Sequence, residues 1–238
     1  MELSELKAKI IEAFTGLAED LNEILQIVED DQSIFPFNEY EHLICNLMDK
    51  GGLTYEQYIS IRTEYISANP NLCFFEISSP ATFGTFAQTH VQGKCSKLKK
   101  PNKRLDPDYS NDYDLWLDGI KIEVKASRAV DSDSEEPLYM KALSRNTQKD
   151  FLMNFQQLKP QLCDVFIWVA VFRDEIVLWI MSSNEVLSNP SYSKGQHRGN
   201  KGNEGQLHIR RDNIAQLSQY ELIGDNLEQA IRDASRKN

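Results

Sequence analysis

Apolar residues recur at steps of three and four along the first part of the chain, the spacing that buries one side of a helix. Residues 3–28 carry the longest such stripe, which predicts one helix or a pair of helices packed on the chain's own core or on a second copy. Asn38 and the Gly51-Gly52 pair bound a second predicted helix, since asparagine favours helix starts and glycine favours helix ends. A third helix is predicted over residues 54–68.

The middle of the chain holds three shorter segments with recognisable patterns. Residues 72–77 form an apolar run that predicts a short strand, and residues 80–89 predict a helix or a structured loop. Residues 144–159 place Phe151, Phe155 and Leu158 at helical spacing, so a helix that ends before Pro160 is predicted there.

Two nearly continuous apolar runs, VFIWVAVF at 165–172 and EIVLWIM at 175–181, predict strands that are buried on both faces at the centre of a sheet. Residues 189–211 differ from these runs, because glycine, asparagine, lysine and arginine dominate and predict a long, solvated, basic loop. The last part of the chain predicts helices near residues 213–219 and 225–234.

Composition narrows the class of protein. The 238 residues, 41% of them hydrophobic, suffice for the core of one soluble domain. No apolar run approaches the roughly 20 residues of a membrane helix, and the charged N-terminus is unlike a secretory signal, so we expect a cytoplasmic protein without a membrane partner. The cysteines lack CxxC spacing and are expected to be free thiols, without zinc or disulfides. They are Cys45, Cys73, Cys95 and Cys163.

The segment YDLWLDGIKIEVKAS at 113–127 alternates polar and apolar residues on both sides of Asp118-Gly119, a pair typical of a two-residue hairpin turn. That turn would pair Leu117 with Ile120 and, three pairs further on, Asp114 with Glu123. Because side chains alternate along strands, one face of the hairpin is predicted to be core and the other polar. The predicted polar face carries Asp114, Trp116, Lys121, Glu123 and Lys125.

Two carboxylates that face each other on a sheet, with side chains starting about 5 Å apart, repel unless a cation lies between them. Oxygen ligands of this kind suit Mg²⁺, which fills its other positions with water and phosphate oxygens. Lys125, two residues beyond Glu123 on the same face, could hold an attacking water or neutralise charge on a phosphate. The polar face therefore predicts a magnesium site built from Asp114 and Glu123.

Asp114, eight intervening residues and Glu123-Val124-Lys125 resemble the PD-(D/E)xK motif of restriction-endonuclease-like nucleases. The resemblance covers residues 38–181 and implies an α/β fold with a restriction-endonuclease-like core, a central mixed β-sheet flanked by helices. It also implies that Asp114, Glu123 and the Val124 carbonyl hold Mg²⁺, with Lys125 assisting water attack. The whole chain is then one nuclease domain, comprising an N-terminal helical region (1–35), the catalytic core (38–181), a basic recognition loop (189–211) and C-terminal helices (212–238).

Two details of the motif are left open by the sequence. Many members of this family add a glutamate from an early helix, for which Glu41 and Glu39 are the candidates here. Tyr113 replaces the motif's proline, whereas a literal Pro107-Asp108 pair lies upstream. Asp108 is therefore a rival first ligand, although Asp114 is preferred because the hairpin places it opposite Glu123.

Two basic segments are candidates for DNA contact, since loops displayed from a rigid sheet often carry recognition residues. An overall net charge of -10 does not exclude a positive cleft. Planar amide and guanidinium groups also suit base edges. The predicted DNA-binding residues are Lys99, Lys100, Lys103, Arg104, Lys194, Gln196, His197, Arg198, Asn200, Lys201, Arg210 and Arg211. Gln156 and Gln157, on the predicted helix, are expected to be exposed rather than in contact with substrate.

The resemblance implies a type II restriction endonuclease, which hydrolyses double-stranded DNA at specific sites with Mg²⁺ and leaves 5'-phosphate and 3'-hydroxyl ends. It would act as a homodimer without a nucleotide cofactor. Another nuclease of the same fold, acting in repair, transposition or phage metabolism, is the first alternative. A non-catalytic DNA-binding module of that fold is the second, and the intact Asp114, Glu123 and Lys125 set argues against it.

Overall fold

The structure is a computed structural model that describes residues 46–196 and 200–238. For Arg62, Gln196 and residues 200–203 it describes the backbone alone. The predicted helix at 3–28 lies outside the described residues, and so do Cys45, the candidate ligands Glu39 and Glu41, and the candidate DNA contacts His197 and Arg198.

Helices dominate the first part of the described chain. Residues 46–49 are helical, and Gly51, at φ 76°, turns the chain while Gly52 donates its N–H to the Leu47 carbonyl over 2.6 Å. This confirms the predicted helix end at the glycine pair. The later helices are α1 (Tyr55–Ala68), α2 (Leu72–Phe75), α3 (Pro80–Lys94), α4 (Ser183–Leu187) and α5 (Leu227–Ser235), with 3-10 helices at Pro160–Leu162 and Ile214–Tyr220.

Helix α2 occupies the segment for which a strand was predicted, so that prediction is wrong. The Arg128 guanidinium donates hydrogen bonds to the carbonyl oxygens of Phe74 (2.8 Å) and Ile77 (2.5 Å). The Asn71 side chain, just before α2, donates to the Phe172 carbonyl over 3.0 Å. The Arg128 side chain thus supplies hydrogen bonds to carbonyl groups at the end of this short helix. The apolar segment therefore does not have to pair with a neighbouring strand to satisfy its backbone.

In the part of the chain that the structure describes, eight strands form two four-stranded sheets. The first sheet has the order β1-β2-β5-β6 and is mixed, because β2 runs parallel to β5 while the other pairs are antiparallel. The second sheet, in the order β3-β4-β8-β7, is antiparallel. The strands are β1 (Leu115–Leu117), β2 (Ile120–Arg128), β3 (Val130–Asp131), β4 (Phe151–Leu158), β5 (Val165–Val171), β6 (Ile176–Ser182), β7 (Tyr192–Gln196) and β8 (Asn200–Arg210).

The predicted hairpin and its register are confirmed. Leu117 pairs with Ile120, and the next two pairs follow in the expected order toward the start of β1. Asp118 (φ 47°) and Gly119 (φ 98°) both adopt positive φ, as a type I′ turn requires. The two predicted buried strands are also confirmed as β5 and β6, but only β5 is an inner strand, because β6 is the last strand in the order of its sheet.

Strand β5 lies at the centre of the core and is buried on both faces. Its residues Val165, Ile167, Val169 and Val171 pack in a cluster with apolar residues of α3 and α5. The alternate residues, from Phe166 to Phe172, pack against the second sheet. Among the described residues, α3 and α5 cover one face of the mixed sheet, and the second sheet covers the other face together with Val186 of α4 and Leu217 of the 3-10 helix Ile214–Tyr220.

The predicted helix at 144–159 is wrong, because its second half is strand β4. Phe151, Met153 and Phe155 alternate inward, and then the register of β4 against β8 shifts before Leu158, which is again buried. This β-bulge adds one residue to β4, so the inward positions of the strand imitate helical spacing.

The predicted solvated loop at 189–211 is also wrong, because β7 and β8 form a hairpin within this range. Leu207 and Ile209 of β8 pack into the core against β4, and Gly205 and Gln206 are buried as well. The sequence of β8 is polar up to Leu207, so the segment lacks the apolar alternation by which a strand is recognised.

Two further observations complete the fold. Both predicted C-terminal helices are present, the first as the 3-10 helix Ile214–Tyr220 and the second as α5. Within the described ranges, no helix combines the length and the apolar character that crossing a membrane requires.

Candidate functional site

The β1–β2 hairpin places three charged side chains on one face. Asp114 directly precedes β1 and is held at the start of the hairpin, because its N–H donates to the Ile122 carbonyl over 2.9 Å. Glu123 and Lys125 stand in register with Phe166 and Trp168 of β5, whose side chains face the second sheet. Leu115, Leu117, Ile122 and Val124 point into the opposite, apolar cluster. The predicted division between a core face and a polar face is thus present.

Two hydrogen bonds hold the Asp114 carboxylate in place. The Val124 N–H donates to Oδ2 over 2.9 Å, and the Gln88 side chain of helix α3 donates from Nε2 to Oδ1 over 2.7 Å. Gln88 was not identified from the sequence, because a lone glutamine on a helix 26 positions away carries no local signal.

Glu123 is the most perturbed acid of the site. Its carboxylate forms an ion pair with the Lys125 ammonium, with 2.7 Å between Oε1 and Nζ, and the two side chains are 14% and 21% exposed. Burial and the neighbouring charge of Asp114 raise the pKa of Glu123 to about 7, although Lys125 opposes the shift. Burial likewise raises the pKa of Asp114, against the Val124 hydrogen bond and the charge of Lys125.

The Asp114 and Glu123 carboxyl groups lie close enough together for each to affect the pKa of the other. The Val124 carbonyl faces the same edge of β2 as Asp114, because the N–H of that residue donates to Asp114 and both backbone groups point the same way. In the described part of the chain, no group of three His, Cys, Asp or Glu side chains is placed to hold a metal ion. The candidate ligands from the hairpin are two carboxylates and one carbonyl, a set that would suit Mg²⁺ because this ion keeps several waters.

The rival ligand Asp108 lies in a different place. It is exposed, and its N–H donates to the Asp106 carboxylate over 3.2 Å. It lines a separate pocket of about 280 Å³ with Asp112 and Asp164. Of the two candidates, only Asp114 is in contact with Glu123.

Tyr109 is a second residue that the sequence did not single out. Its ring packs against Tyr113 at 5.2 Å between centroids. Burial raises the pKa of its hydroxyl, and the charges of Asp114, Asp112 and Glu123 raise it further. The Tyr109 hydroxyl therefore lies within electrostatic range of the candidate site and remains protonated near neutral pH.

A cleft of about 680 Å³ opens beside the hairpin, between α3, the edge of β2 and β4. β1 pairs with β2 only at residues 120–122, so the later part of β2 forms one wall of the cleft. Its charged lining residues are Asp114, Lys125, Arg128, Asp131 and Lys141, three cations and two anions. The cleft therefore does not share the strongly negative charge of the whole chain.

The predicted DNA-binding residues are spread over the molecule. Lys99, Lys100, Lys103 and Arg104 are exposed, and Lys99 pairs through its backbone with Trp116 along the outer edge of β1. Lys194 is exposed on β7, opposite Gly205 of β8.

At the other end of β8, Arg210 lies opposite Leu152, which lines the cleft, and Arg211 donates a hydrogen bond to Gln148 over 2.9 Å. Gln196, Asn200 and Lys201 lie in the β7–β8 hairpin, and their side chains are outside the described part. The described cations thus flank both sheets and do not gather in one patch.

Cys73, Cys95 and Cys163 are free, so the predicted free thiols are confirmed for the cysteines that the structure describes. Burial raises the pKa of the Cys163 thiol to about 12, so this residue is a neutral thiol behind the candidate site.

Comparison with known proteins adds no assignment. No family profile matches the sequence, and no curated protein is significantly similar to it.

Proposed function

We propose that this protein is a Mg²⁺-dependent endonuclease that hydrolyses double-stranded DNA at the cleft beside Asp114, Glu123 and Lys125. The observation that carries the proposal is the partly buried carboxyl pair Asp114–Glu123, whose two groups affect each other's pKa, with the Lys125 ammonium in contact with Glu123. Such a pair is electrostatically unfavourable when both groups are ionised, and a bound divalent cation removes the conflict.

Asp114, Glu123 and the Val124 carbonyl would hold the ion. When bound, Mg²⁺ supplies Lewis-acid stabilisation of negative charge that develops on the phosphate. Gln88 and the Val124 N–H fix the orientation of Asp114, because each donates to one of its two oxygens. The site is therefore partly preorganised by neutral donors that do not compete with a cation for charge.

Lys125 has a separate task. Its ammonium lies 2.7 Å from Glu123, lines the cleft, and can stabilise the charge on the phosphate while a water molecule attacks phosphorus. The P–O3' bond breaks, the leaving oxygen takes up a proton, and the products are a 5'-phosphate and a 3'-hydroxyl.

The parallel pair of β2 and β5, with a hairpin carrying the motif, supports a restriction-endonuclease-like core as the finer description of the fold. We include in the proposal a type II restriction activity on a homodimer, without a nucleotide cofactor. Two-fold symmetric dimers match palindromic sites, because each copy presents the same surface to one half of the site.

The test uses supercoiled plasmid and compares Asp114→Asn and Lys125→Ala with wild type, in Mg²⁺ and in EDTA. Cleavage should require Mg²⁺ and fall by about 100-fold or more in both variants. DNA binding in Ca²⁺, which supports binding without chemistry in similar enzymes, should survive. Matched controls are Asp118→Asn and Lys97→Ala, whose side chains pair with Arg232 and Glu228 outside the cleft.

Cleavage mapping distinguishes the possible nucleases. Discrete fragments from intact plasmid indicate restriction, whereas cutting confined to nicked, mismatched or branched DNA indicates a repair, transposition or phage nuclease. Undiminished cleavage by both Asp114→Asn and Lys125→Ala would reject the proposed nuclease site. If the wild-type protein binds DNA but does not cleave it, the protein is instead a non-catalytic DNA-binding module.

A further inference from the structure

Strand β4 lines the cleft with three neutral amide side chains. Asn154, Gln156 and Gln157 face the same cleft as Asp114 and Lys125. Asn154 is fixed next to β2, because its backbone N–H donates to the Ser127 hydroxyl over 3.0 Å. The amides therefore lie across the cleft from the later part of β2, close to the proposed site of cleavage.

The β-bulge in β4 is what presents two of these amides together. Phe155 and Leu158 are buried, while Gln156 and Gln157 between them are both exposed. Regular alternation would turn one of two consecutive side chains toward the core. Gln157 adopts φ 58°, a left-handed conformation that is unfavourable for residues other than glycine. The strained backbone conformation therefore occurs at Gln157, the residue that adds a second amide to the cleft. Bulges often change the direction of side chains beside active sites.

Asn154 has an unused hydrogen-bonding group. Its Oδ1 atom is buried, and within the described residues it has no hydrogen-bond partner. Buried amide oxygens in folded proteins normally have a partner, and rotation of the Asn154 side chain toward the cleft would let this atom accept a hydrogen bond from a ligand.

We propose that Asn154, Gln156 and Gln157 read base edges of the bound duplex and set the enzyme's preference for adenine next to the cleaved phosphate. A carboxamide combines one acceptor and one donor group, and this matches the N6 and N7 atoms of adenine in the major groove. The side chains carry no charge, so they add nothing to the attraction of phosphates and are suited to selecting a sequence. This inference rests on the proposed endonuclease function.

The test selects sites from a random duplex library, by binding in Ca²⁺ and by cleavage in Mg²⁺. Wild type is compared with Gln156→Ala, Gln157→Gly and Asn154→Ala. Gln157→Gly deletes the amide but suits the left-handed backbone, so it should fold even where another variant does not. The matched control is Gln219→Ala, an exposed glutamine on the 3-10 helix Ile214–Tyr220 that lies outside the cleft.

We expect wild type to select at least one A·T pair, and each cleft variant to lose about tenfold or more of the discrimination at one or two positions. Cleavage itself should persist in the variants, as should the preferences of the control. A uniform loss of affinity across all sequences would overturn the proposal, since it indicates contact with the phosphate backbone. Unchanged preferences in all three variants, or wild-type cleavage without any base preference, would overturn it and leave the nuclease assignment intact. Failure of wild type to cleave any DNA would instead remove the proposed function.

Discussion

Gln88 of helix α3 donates a hydrogen bond of 2.7 Å to Oδ1 of Asp114, so a helix controls the position of the proposed first metal ligand. The second oxygen of Asp114 accepts the Val124 N–H over 2.9 Å. Helix α3 is itself anchored to the sheet by Phe83, Ala87 and Val91, which are buried in the core. The carboxylate is therefore held from two sides, by a packed helix and by the backbone of β2.

Replacing Gln88 with alanine should weaken Mg²⁺ binding while leaving the fold intact. Partners that orient metal ligands typically contribute 10- to 100-fold to metal affinity or activity, and we expect a loss of about this size. The measurement is the Mg²⁺ dependence of plasmid cleavage, in which the concentration for half-maximal rate should rise. Gln92→Ala, one turn further along α3, is the matched control. Identical Mg²⁺ curves for Gln88→Ala and wild type would show that this contact has no role in positioning Asp114.

The pair of carboxyl groups should make the metal-free protein less stable as the pH rises. The pKa of Glu123 is about 7 in the folded protein, above its usual value of 4.5, so the folded state binds more protons between these values. Below about pH 4.5 Glu123 is protonated in both states and does not lower the free energy of unfolding. As the pH rises through 7 the carboxyl group ionises in the folded protein, and this contribution to the free energy of unfolding is lost. Glu123→Gln should therefore raise the free energy of unfolding at pH 8 in EDTA by about 1–3 kcal/mol, with little change at pH 4.5.

Urea denaturation at both pH values measures this effect. The control is Glu228→Gln, for which the opposite sign is expected. Hydrogen bonds from Lys97 and Arg232 lower the pKa of Glu228, so its charged form stabilises the fold above its usual pKa. A Glu123→Gln variant that is less stable than wild type at pH 8 would contradict the predicted repulsion. The same substitution should abolish cleavage, an example of stability given up for function.

The sequence identifies the hairpin and the core strands because their local signals agree with the tertiary structure. Asp118-Gly119 fits a turn with two positive φ values, and alternation on both sides of it fixes the register. This register brings Asp114 and Glu123 together. Strands β5 and β6 are readable because both faces of each strand are covered by apolar neighbours.

Strand β4 could not be predicted in the same way, since the bulge changes the spacing of its buried residues from strand alternation to a spacing that resembles a helix. Without the extra residue, Phe151, Met153 and Phe155 would continue to a buried residue at 157, but the core position falls at Leu158. Gln88 was missed for a different reason. Its role depends on how α3 packs on the sheet, and helix periodicity does not report which polar residue meets a distant carboxylate.

Arg128 should be a major stabilising residue of the cleft wall. Its guanidinium donates to the carbonyls of Phe74 and Ile77 and lies 3.7 Å from the centroid of the Phe83 ring. Arg128→Met keeps much of the apolar stem but leaves two partly buried carbonyls unpaired, for an expected loss of about 2–4 kcal/mol in the free energy of unfolding.

Arg128→Lys should recover little of this stability, because an ammonium cannot reproduce the planar fork or its stacking on the ring. Arg236→Met serves as control in the urea experiment, because Arg236 is exposed and forms an ion pair with the nearby Asp233. Its expected effect is within about 0.5 kcal/mol. Equal effects of Arg128→Met and Arg236→Met would mean that the contacts of Arg128 with Phe74, Ile77 and Phe83 do not stabilise the fold.

Gly205 is the position at which the β7–β8 hairpin tolerates no side chain. A Cβ atom added there would overlap the ring of Tyr192, on the neighbouring strand β7. Gly205→Ala should therefore lower the free energy of unfolding by about 1–3 kcal/mol through overpacking. Gly93→Ala is the control, because it lies in helix α3 with open space around the added atom and should stabilise by about 0.5–1 kcal/mol.

A double-mutant cycle identifies the cause. If the Tyr192 ring is the obstacle, the cost of Gly205→Ala should shrink in a Tyr192→Ala background, because the added methyl group then fills vacated space. If Gly205→Ala lowers the free energy of unfolding by the same amount in the Tyr192→Ala background, the destabilisation arises in the backbone of β8 and not from overlap with the ring. The hairpin also carries Lys194, Gln196, Asn200 and Lys201, so displacing it should weaken DNA binding in Ca²⁺ together with stability, whereas Gly93→Ala should leave binding unchanged.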